Sequence, residues 1–120
     1  MIKRILICDD DIDILSICTY VLEEQGWEVH TLINCNNITD VVNEINPQII
    51  LMDNWIPNTG GITATQAIKN HPDFSKIPVI YFSANNNIKA LAKEAGADNF
   101  LAKPFDIEEL EHIILSVVNK

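Results

Sequence analysis

The chain has few cationic residues, and this scarcity argues against one class of partner. Eight lysine and arginine residues stand against 17 aspartate and glutamate residues, which gives a formal net charge of −9. A protein that binds a phosphate backbone directly needs clustered lysine and arginine side chains. We therefore expect no direct contact with nucleic acid.

Long apolar runs are also missing. No stretch approaches the roughly 18 consecutive apolar residues that a membrane span needs, and the first residues, Met1–Arg4, lack the apolar segment of a signal peptide. From these two observations we expect no membrane partner and a cytoplasmic location.

Cysteine is sparse and shows no metal-ligand spacing. Cys8, Cys18 and Cys35 are odd in number and contain no Cys-x-x-Cys pair, so we expect reduced, mostly buried thiols. Low-complexity tracts and internal repeats are likewise missing. A chain of 120 residues without these features is the size of one domain, so we expect a single domain over residues 1–120.

What the chain does contain is a regular alternation of short apolar runs and stretches with helical periodicity. We predict strands at Lys3–Cys8, Trp27–Leu32, Ile49–Met52, Val79–Phe82 and Asn99–Ala102. We predict helices at about Ile12–Gln25, Asn37–Ile45, Ile62–Asn70, Asn87–Ala95 and Asp106–Val118. Five strand–helix repeats predict a doubly wound (βα)5 domain of the α/β class, with a parallel five-stranded sheet. The flavodoxin-like strand order 2-1-3-4-5 is the common one at this size.

Acidic residues follow two of the predicted strands. Asp9 and Asp10 follow the first strand and Asp53 follows the third, and these strands are neighbours in the predicted order. Ligands of open parallel sheets gather at the carboxyl ends of the strands. Clustered carboxylates repel one another unless a cation neutralises them, and oxygen ligands of this kind suit Mg²⁺. We expect Ser83 and Lys103, after the fourth and fifth strands, to line the other side of this cleft.

Several short motifs occur in an order and spacing typical of one family. They are Ile7–Asp11, Leu51–Asp53 followed by Pro57 and Gly61, Pro78–Ile80 leading to Ser83–Ala84, Gly96–Asp98, and Lys103–Phe105. Each motif alone is weak. Together they make the chain resemble a response-regulator receiver domain of two-component signal transduction over essentially all of its 120 residues.

The resemblance implies a role for each site residue. Asp53 would accept a phosphoryl group from the phosphohistidine of a sensor histidine kinase or phosphotransfer protein. Asp10, Asp53 and the backbone carbonyl of Trp55 would bind Mg²⁺, with Asp9 acting largely through water. Lys103 and Ser83 would each contact a phosphate oxygen, and the Lys103–Pro104 peptide would be cis. Phe100 matches an aromatic position that changes its packing on activation, although plain core packing is an equally good interpretation of that residue.

These expectations describe a switch that catalyses only its own phosphorylation and dephosphorylation. We do not expect an enzyme that turns over a separate substrate. The alternative is a receiver-like binding module that works without phosphorylation, for which the full acidic, Ser83 and Lys103 set would have no use. A phosphohydrolase with an aspartate nucleophile is a third possibility, but such enzymes need a cap or a longer chain to exclude water. The downstream target, or a fused output domain, stays open.

Overall fold

Strands and helices alternate along the whole described chain. The computed structural model describes residues 3–56 and 59–118, so Pro57 of the predicted motif lies outside the described residues. The strands are β1 Lys3–Cys8, β2 Trp27–Leu32, β3 Ile49–Asp53, β4 Val79–Ser83 and β5 Asn99–Ala102. The helices are α1 Ile12–Glu24, α2 Ile38–Ile45, α3 Gly61–Lys69, α4 Ile88–Ala95 and α5 Ile107–Val118. The predicted alternation of elements is confirmed.

The five strands form one parallel sheet in the order β2-β1-β3-β4-β5, which confirms the predicted topology. Two strands run one residue further than the sequence pattern indicates, because Asp53 pairs with Phe82 on β4 and Ser83 pairs with Ala102 on β5. Both polar residues are thus the last members of buried strands rather than the first residues of loops.

Helices cover the sheet on both faces, and the central strands are buried accordingly. All five residues of β3 and all five of β4 are buried. Alternate side chains of each strand enter two separate apolar clusters. One cluster contains buried residues of α2, α3 and α4, and the other contains buried residues of α1 and α5. Burial on both faces explains why the strands read as continuous apolar runs rather than as alternating patterns.

The cysteines behave as the sequence indicates. Cys8, Cys18 and Cys35 are free and buried. Burial, with the nearby charge of Asp9, raises the pKa of Cys18 to about 11, so its thiol stays protonated at neutral pH. Within residues 3–56 and 59–118, no helix combines the length and apolar character needed to cross a membrane.

One of the three consecutive acids after β1 caps a helix and is not a candidate for the cleft chemistry. The Asp11 carboxylate accepts hydrogen bonds from the backbone N–H groups of Asp13 at 2.9 Å and Ile14 at 3.4 Å. It therefore begins α1 as an N-cap and satisfies donors that a helix end leaves unpaired. Asp9 and Asp10 remain for the cleft above the sheet.

Candidate functional site at the carboxyl edge of the sheet

Four polar residues meet where the parallel strands end. Asp9 follows β1, Asp53 ends β3, Ser83 ends β4 and Lys103 follows β5. Three of them are almost inaccessible to solvent, with 0% exposure for Asp9 and 5% for both Asp53 and Ser83. Charged and polar groups are rarely buried to this degree unless they are paired or serve a purpose.

The cleft above these residues has a volume of about 390 Å³. Its walls come from the loops after β1, β3, β4 and β5, so residues far apart in the sequence share it. The lining residues are Asp9, Asp10, Asp11, Asp53, Asn54, Trp55, Ser83, Ala84, Asn85 and Lys103. Every site residue predicted from the sequence lies in this cleft except Phe100 and Pro104.

Three carboxylates crowd the floor and rim of the cleft. One oxygen atom from each of Asp9, Asp10 and Asp53 lies within 4.8 Å of the other two. Asp9 and Asp53 are buried, whereas Asp10 is exposed at the rim. Ionised carboxylates at this separation repel one another, which destabilises the site unless positive charge lies close by.

Lys103 supplies that positive charge. Its Nζ donates to Asp9 Oδ2 at 2.8 Å and to Asp53 Oδ1 at 2.7 Å, and it lies 4.8 Å from the centre of the Phe82 ring. The cis Lys103–Pro104 peptide follows β5 directly. One ammonium group therefore links acids that precede it by 94 and 50 residues.

Burial and charge shift the pKa of both partners. Burial raises the pKa of the Asp53 carboxyl, and the charge of Asp9 raises it further, although the bond from Lys103 opposes both effects. Burial works against the charged form of Lys103, but its hydrogen bonds to Asp53 and Asp9 outweigh that effect and raise its pKa. Lys103 consequently stays cationic at neutral pH, whereas the environment of Asp53 disfavours its charged form.

The backbone around Asp53 is tightly constrained. Asp53 Oδ2 accepts a hydrogen bond from the N–H of Trp55 at 3.0 Å, and the Asn54 carbonyl accepts one from the N–H of Gly61 at 3.0 Å. A Cβ atom at Gly61 would lie 2.1 Å from the Asp53 carbonyl oxygen, so only glycine fits there. The Trp55 side chain, by contrast, is 73% exposed.

Ser83 has a hydroxyl group within reach of the cleft. Its Oγ accepts a hydrogen bond from the backbone N–H of Asn85 at 3.0 Å, which leaves the hydroxyl hydrogen out of that bond. The backbone carbonyl of Ser83 accepts from the N–H of Lys103 at 2.9 Å. Ser83 and Lys103 are therefore joined through the main chain as well as sharing the cleft.

Phe100 lies apart from the acidic cluster. It is half-buried on β5, in register with Tyr81 on β4, and packs against the apolar cluster that contains α3 and α4. This position leaves both interpretations of Phe100, core packing and a switching role, compatible with the fold.

One pair of polar residues was missed by the sequence analysis. The Tyr81 hydroxyl donates a hydrogen bond to Asn54 Oδ1, directly beside the Asp53 backbone. The available signal was a phenol in the otherwise apolar strand Val79–Phe82, because a buried tyrosine hydroxyl usually has a partner.

Comparison with known proteins assigns the family. Residues 5–115 match the family described as response regulator receiver domain. The chain belongs to this receiver family. It is 34% identical over 114 residues to the CAI-1 autoinducer sensor kinase/phosphatase CqsS of Vibrio cholerae, which covers 90% of the chain and 16% of that protein. It is 31% identical over 115 residues to the regulatory protein AtoC of Escherichia coli, which covers 94% of the chain and 24% of that protein.

Solved structures share the fold of this receiver. A response regulator structure from Chloroflexus aurantiacus has a TM-score of 0.93 at 24% identity, with complete coverage of both chains. The receiver domain of the sensor histidine kinase PA1611 from Pseudomonas aeruginosa, with a magnesium ion coordinated in its active site cleft, has a TM-score of 0.91 at 24% identity and complete coverage of both chains. The relatives above 30% identity thus include a sensor kinase/phosphatase and regulatory proteins, and the chain spans less than half the length of the curated relatives it matches.

The chemistry of the acidic cluster in this receiver fits a hard divalent cation. All its side-chain donors are carboxylate oxygens, which Mg²⁺ prefers to nitrogen or sulfur. Each carboxylate oxygen of Asp9 and Asp53 accepts one hydrogen bond from the protein and retains further acceptor capacity. Asp10 is exposed at the rim, where a hydrated ion can approach it.

Proposed function

We propose that this receiver, as one domain of residues 1–120, is a switch controlled by phosphorylation of Asp53. The observation that carries the proposal is the position of Lys103, whose ammonium group contacts both Asp53 and Asp9 in a cleft whose other charged lining residues are all aspartates. An aspartate beside a fixed cation suits the acceptance of a dianionic group, which needs positive charge close to the nucleophile.

The donor in this proposal is the phosphohistidine of a sensor histidine kinase or a phosphotransfer protein. An Asp53 carboxylate oxygen forms a bond to phosphorus while the phosphorus–nitrogen bond to the histidine breaks, and the imidazole leaves with the electron pair. The product is an acyl phosphate on Asp53. Because the transition state is loose, the protein contributes mainly alignment and neutralisation of charge.

Two groups of the chain serve the phosphoryl oxygens. Lys103 leaves the Asp53 carboxylate to pair with one oxygen, and the Ser83 hydroxyl donates to a second. Asp10, Asp53 and the Trp55 carbonyl would hold Mg²⁺, with Asp9 acting largely through water. When bound, the ion supplies positive charge to the remaining oxygen and to the crowded carboxylates.

The conformational response begins at Ser83 in this proposal. Phosphorylation adds almost two negative charges and three strong acceptor oxygens to the cleft. The Ser83 hydroxyl donates its hydrogen to the phosphoryl group, and because Oγ also accepts from the Asn85 N–H, its movement pulls on the loop before α4. Phe100 lies on the neighbouring strand and would adjust its packing with this loop.

The output of the proposed switch does not follow from the phosphorylation chemistry of Asp53. We propose a cytoplasmic protein that catalyses no turnover beyond its own phosphorylation and dephosphorylation, and that signals through a downstream target or a fused output domain. Similarity to a sensor kinase/phosphatase, a transcriptional regulator and a regulatory protein supports a role in two-component signalling without choosing between these two outputs.

Intact-mass spectrometry after incubation with acetyl phosphate tests the proposal. We expect the wild-type chain to gain one phosphoryl group in the presence of Mg²⁺ and none after the ion is chelated. Asp53→Ala should gain none, whereas Asp73→Asn, a change of an exposed acid outside the cleft, should behave as wild type. A wild-type chain that gains no phosphoryl group under any condition would overturn the proposal and favour a phosphorylation-independent binding module.

A further inference from the structure

Tyr81 is a buried residue whose one polar side-chain atom, the hydroxyl oxygen, reaches a residue of the cleft. It is fully buried on β4, between the apolar residues Ile80 and Phe82, and belongs to the apolar cluster on the α3 and α4 side of the sheet. Its hydroxyl donates to Asn54 Oδ1. Phenylalanine would fill the same core position without burying a hydroxyl group. The hydrogen bond, and not the ring, is therefore what distinguishes tyrosine from phenylalanine at this position.

Asn54 is the residue between Asp53 and Trp55, and three hydrogen bonds hold it. Its N–H donates to the Phe82 carbonyl at 3.0 Å, its carbonyl accepts from the Gly61 N–H at 3.0 Å, and its side chain accepts from Tyr81. The first two bonds belong to the main chain and would form with any residue at position 54. The bond from Tyr81 is specific to this pair of side chains.

We propose that Tyr81 is a positioning residue for the phosphoacceptor loop, which holds Asn54 so that the Asp53 carboxylate and the Trp55 carbonyl are aligned for a divalent cation. The inference deepens the proposed function and rests on it. Tyr81 touches neither the ion nor the phosphoryl group, and it acts only through the backbone of Asn54.

The Tyr81 hydroxyl is well suited to donate this hydrogen bond at all times. Burial, followed by the charges of Asp53 and Glu94, raises the pKa of its hydroxyl to about 12, so the hydroxyl remains protonated throughout the neutral range. Asn54 offers an amide oxygen, which accepts a hydrogen bond without adding a fifth acid to the four aspartates that line the cleft. An aspartate at position 54 would also accept the bond, but it would increase the repulsion that the site already contains.

Loss of a residue that hydrogen-bonds to a metal ligand, without touching the metal itself, typically weakens metal binding by about 10- to 100-fold. Because Tyr81 acts one residue away from the ligands, we expect an effect near the lower end, about tenfold. The chain provides a matched control, since its other tyrosine, Tyr20, is 70% exposed on α1.

The experiment compares Tyr81→Phe with Tyr20→Phe in the full chain. Mg²⁺ affinity is measured by titration of the tryptophan fluorescence, to which Trp55 at the cleft and the buried Trp27 away from it both contribute. Thermal unfolding is measured without Mg²⁺. We expect Tyr81→Phe to weaken Mg²⁺ binding about tenfold and to slow phosphorylation by acetyl phosphate at subsaturating Mg²⁺, with recovery at saturating Mg²⁺. Tyr20→Phe should leave the Mg²⁺ affinity unchanged.

A second variant guards against misfolding of the first. Asn54→Ala removes the acceptor from a half-buried position and should weaken Mg²⁺ binding to the same extent, with no further loss in the double variant. A lower melting temperature with unchanged Mg²⁺ affinity in both single variants would overturn the inference and leave the proposed function intact. A wild-type chain that binds no Mg²⁺ would overturn both.

Discussion

Two sets of contacts between acidic and basic side chains, one at the carboxyl edge of the sheet and one towards its amino edge, have similar distances and different degrees of burial. At the carboxyl edge, Lys103 contacts Asp9 and Asp53 at 2.8 and 2.7 Å. At the amino edge, Glu28 contacts Arg4 at 2.9 Å and His30 at 2.7 Å. The side chains of the first set are 18%, 1% and 7% exposed, and those of Glu28, Arg4 and His30 are 44%, 34% and 36% exposed.

The two central acids respond to their partners in opposite ways. Hydrogen bonds from His30 and then from Arg4 lower the pKa of Glu28, so its partners stabilise the charged form. Burial raises the pKa of Asp53 in spite of its bond to Lys103. Contact distance therefore does not decide whether an ion pair stabilises the fold, because the loss of hydration can outweigh the attraction. The buried set contains an acid whose charged form is destabilised by burial, and the exposed set has no such constraint.

The largest effect should come from removing the cation of the buried set. Lys103→Ala leaves Asp9 and Asp53 facing each other, and we expect a loss of about 3 kcal/mol in the free energy of unfolding, measured in urea without Mg²⁺. The raised pKa of Lys103 means that its contribution is present below pH 10.5 and is lost as the pH rises through the native-state value.

The exposed lysine Lys89 provides the control for this change, and Lys89→Ala should alter the free energy of unfolding by less than about 0.5 kcal/mol. Added Mg²⁺ should restore part of the stability of Lys103→Ala. A loss below about 1 kcal/mol would show that the two carboxylates do not depend on Lys103.

The next effect concerns the backbone beside the buried acid. Gly61→Ala places a Cβ atom 2.1 Å from the Asp53 carbonyl oxygen, and the main chain must move to admit it. We expect a loss of about 2–3 kcal/mol in the free energy of unfolding, measured in urea. Mg²⁺ binding should also weaken, because the main chain that moves is that of Asp53, the proposed phosphoacceptor.

The adjacent glycine is a matched control. Gly60 has nothing within 4 Å of a Cβ, but its φ of 81° and ψ of 149° lie in a region that is open almost only to glycine. Gly60→Ala should therefore cost about 1–3 kcal/mol through backbone conformation alone and leave Mg²⁺ binding unchanged. Equal losses of Mg²⁺ affinity at positions 60 and 61 would contradict the steric explanation.

Neutralising the buried acid should have the opposite sign. A raised pKa means that the native state binds this proton more tightly than the unfolded chain, so stability falls as the pH rises from 3.8 through the native-state value. At pH 7 and without Mg²⁺, Asp53→Asn should therefore raise the melting temperature by roughly 2–5 °C. Added Mg²⁺ should raise the melting temperature of wild type more than that of Asp53→Asn, and a lower melting temperature for Asp53→Asn would contradict our account of the site.

The smallest effect should come from the exposed set. The lowered pKa of Glu28 means that its contribution is present above pH 4.5 and is lost as the pH falls through the native-state value. Glu28→Gln should slightly lower the melting temperature at pH 7, and 1 M salt should remove the difference because exposed pairs are screened. A loss as large as that of Lys103→Ala would erase the contrast between the two sets.

Most of the fold could be predicted from local patterns. Apolar runs such as Ile49–Met52 predict strands buried on both faces, and the alternation with helices limits the sheet to few topologies. The same reasoning brought Asp9, Asp53, Ser83 and Lys103 to one edge, because every parallel strand ends there. The roles of these residues in phosphorylation and Mg²⁺ binding stay predictions.

Other features depended on the assembled sheet. The order of residues determined which strands end in acids and that Lys103 follows the last strand, since short-range periodicity and chain direction encode both. Only the tertiary structure decided that one ammonium group bonds Asp9 and Asp53, that Tyr81 holds Asn54, and that the pKa of Asp53 is raised. Each of these results depends on register, depth of burial and side-chain direction between segments far apart in the chain, which local sequence patterns do not encode.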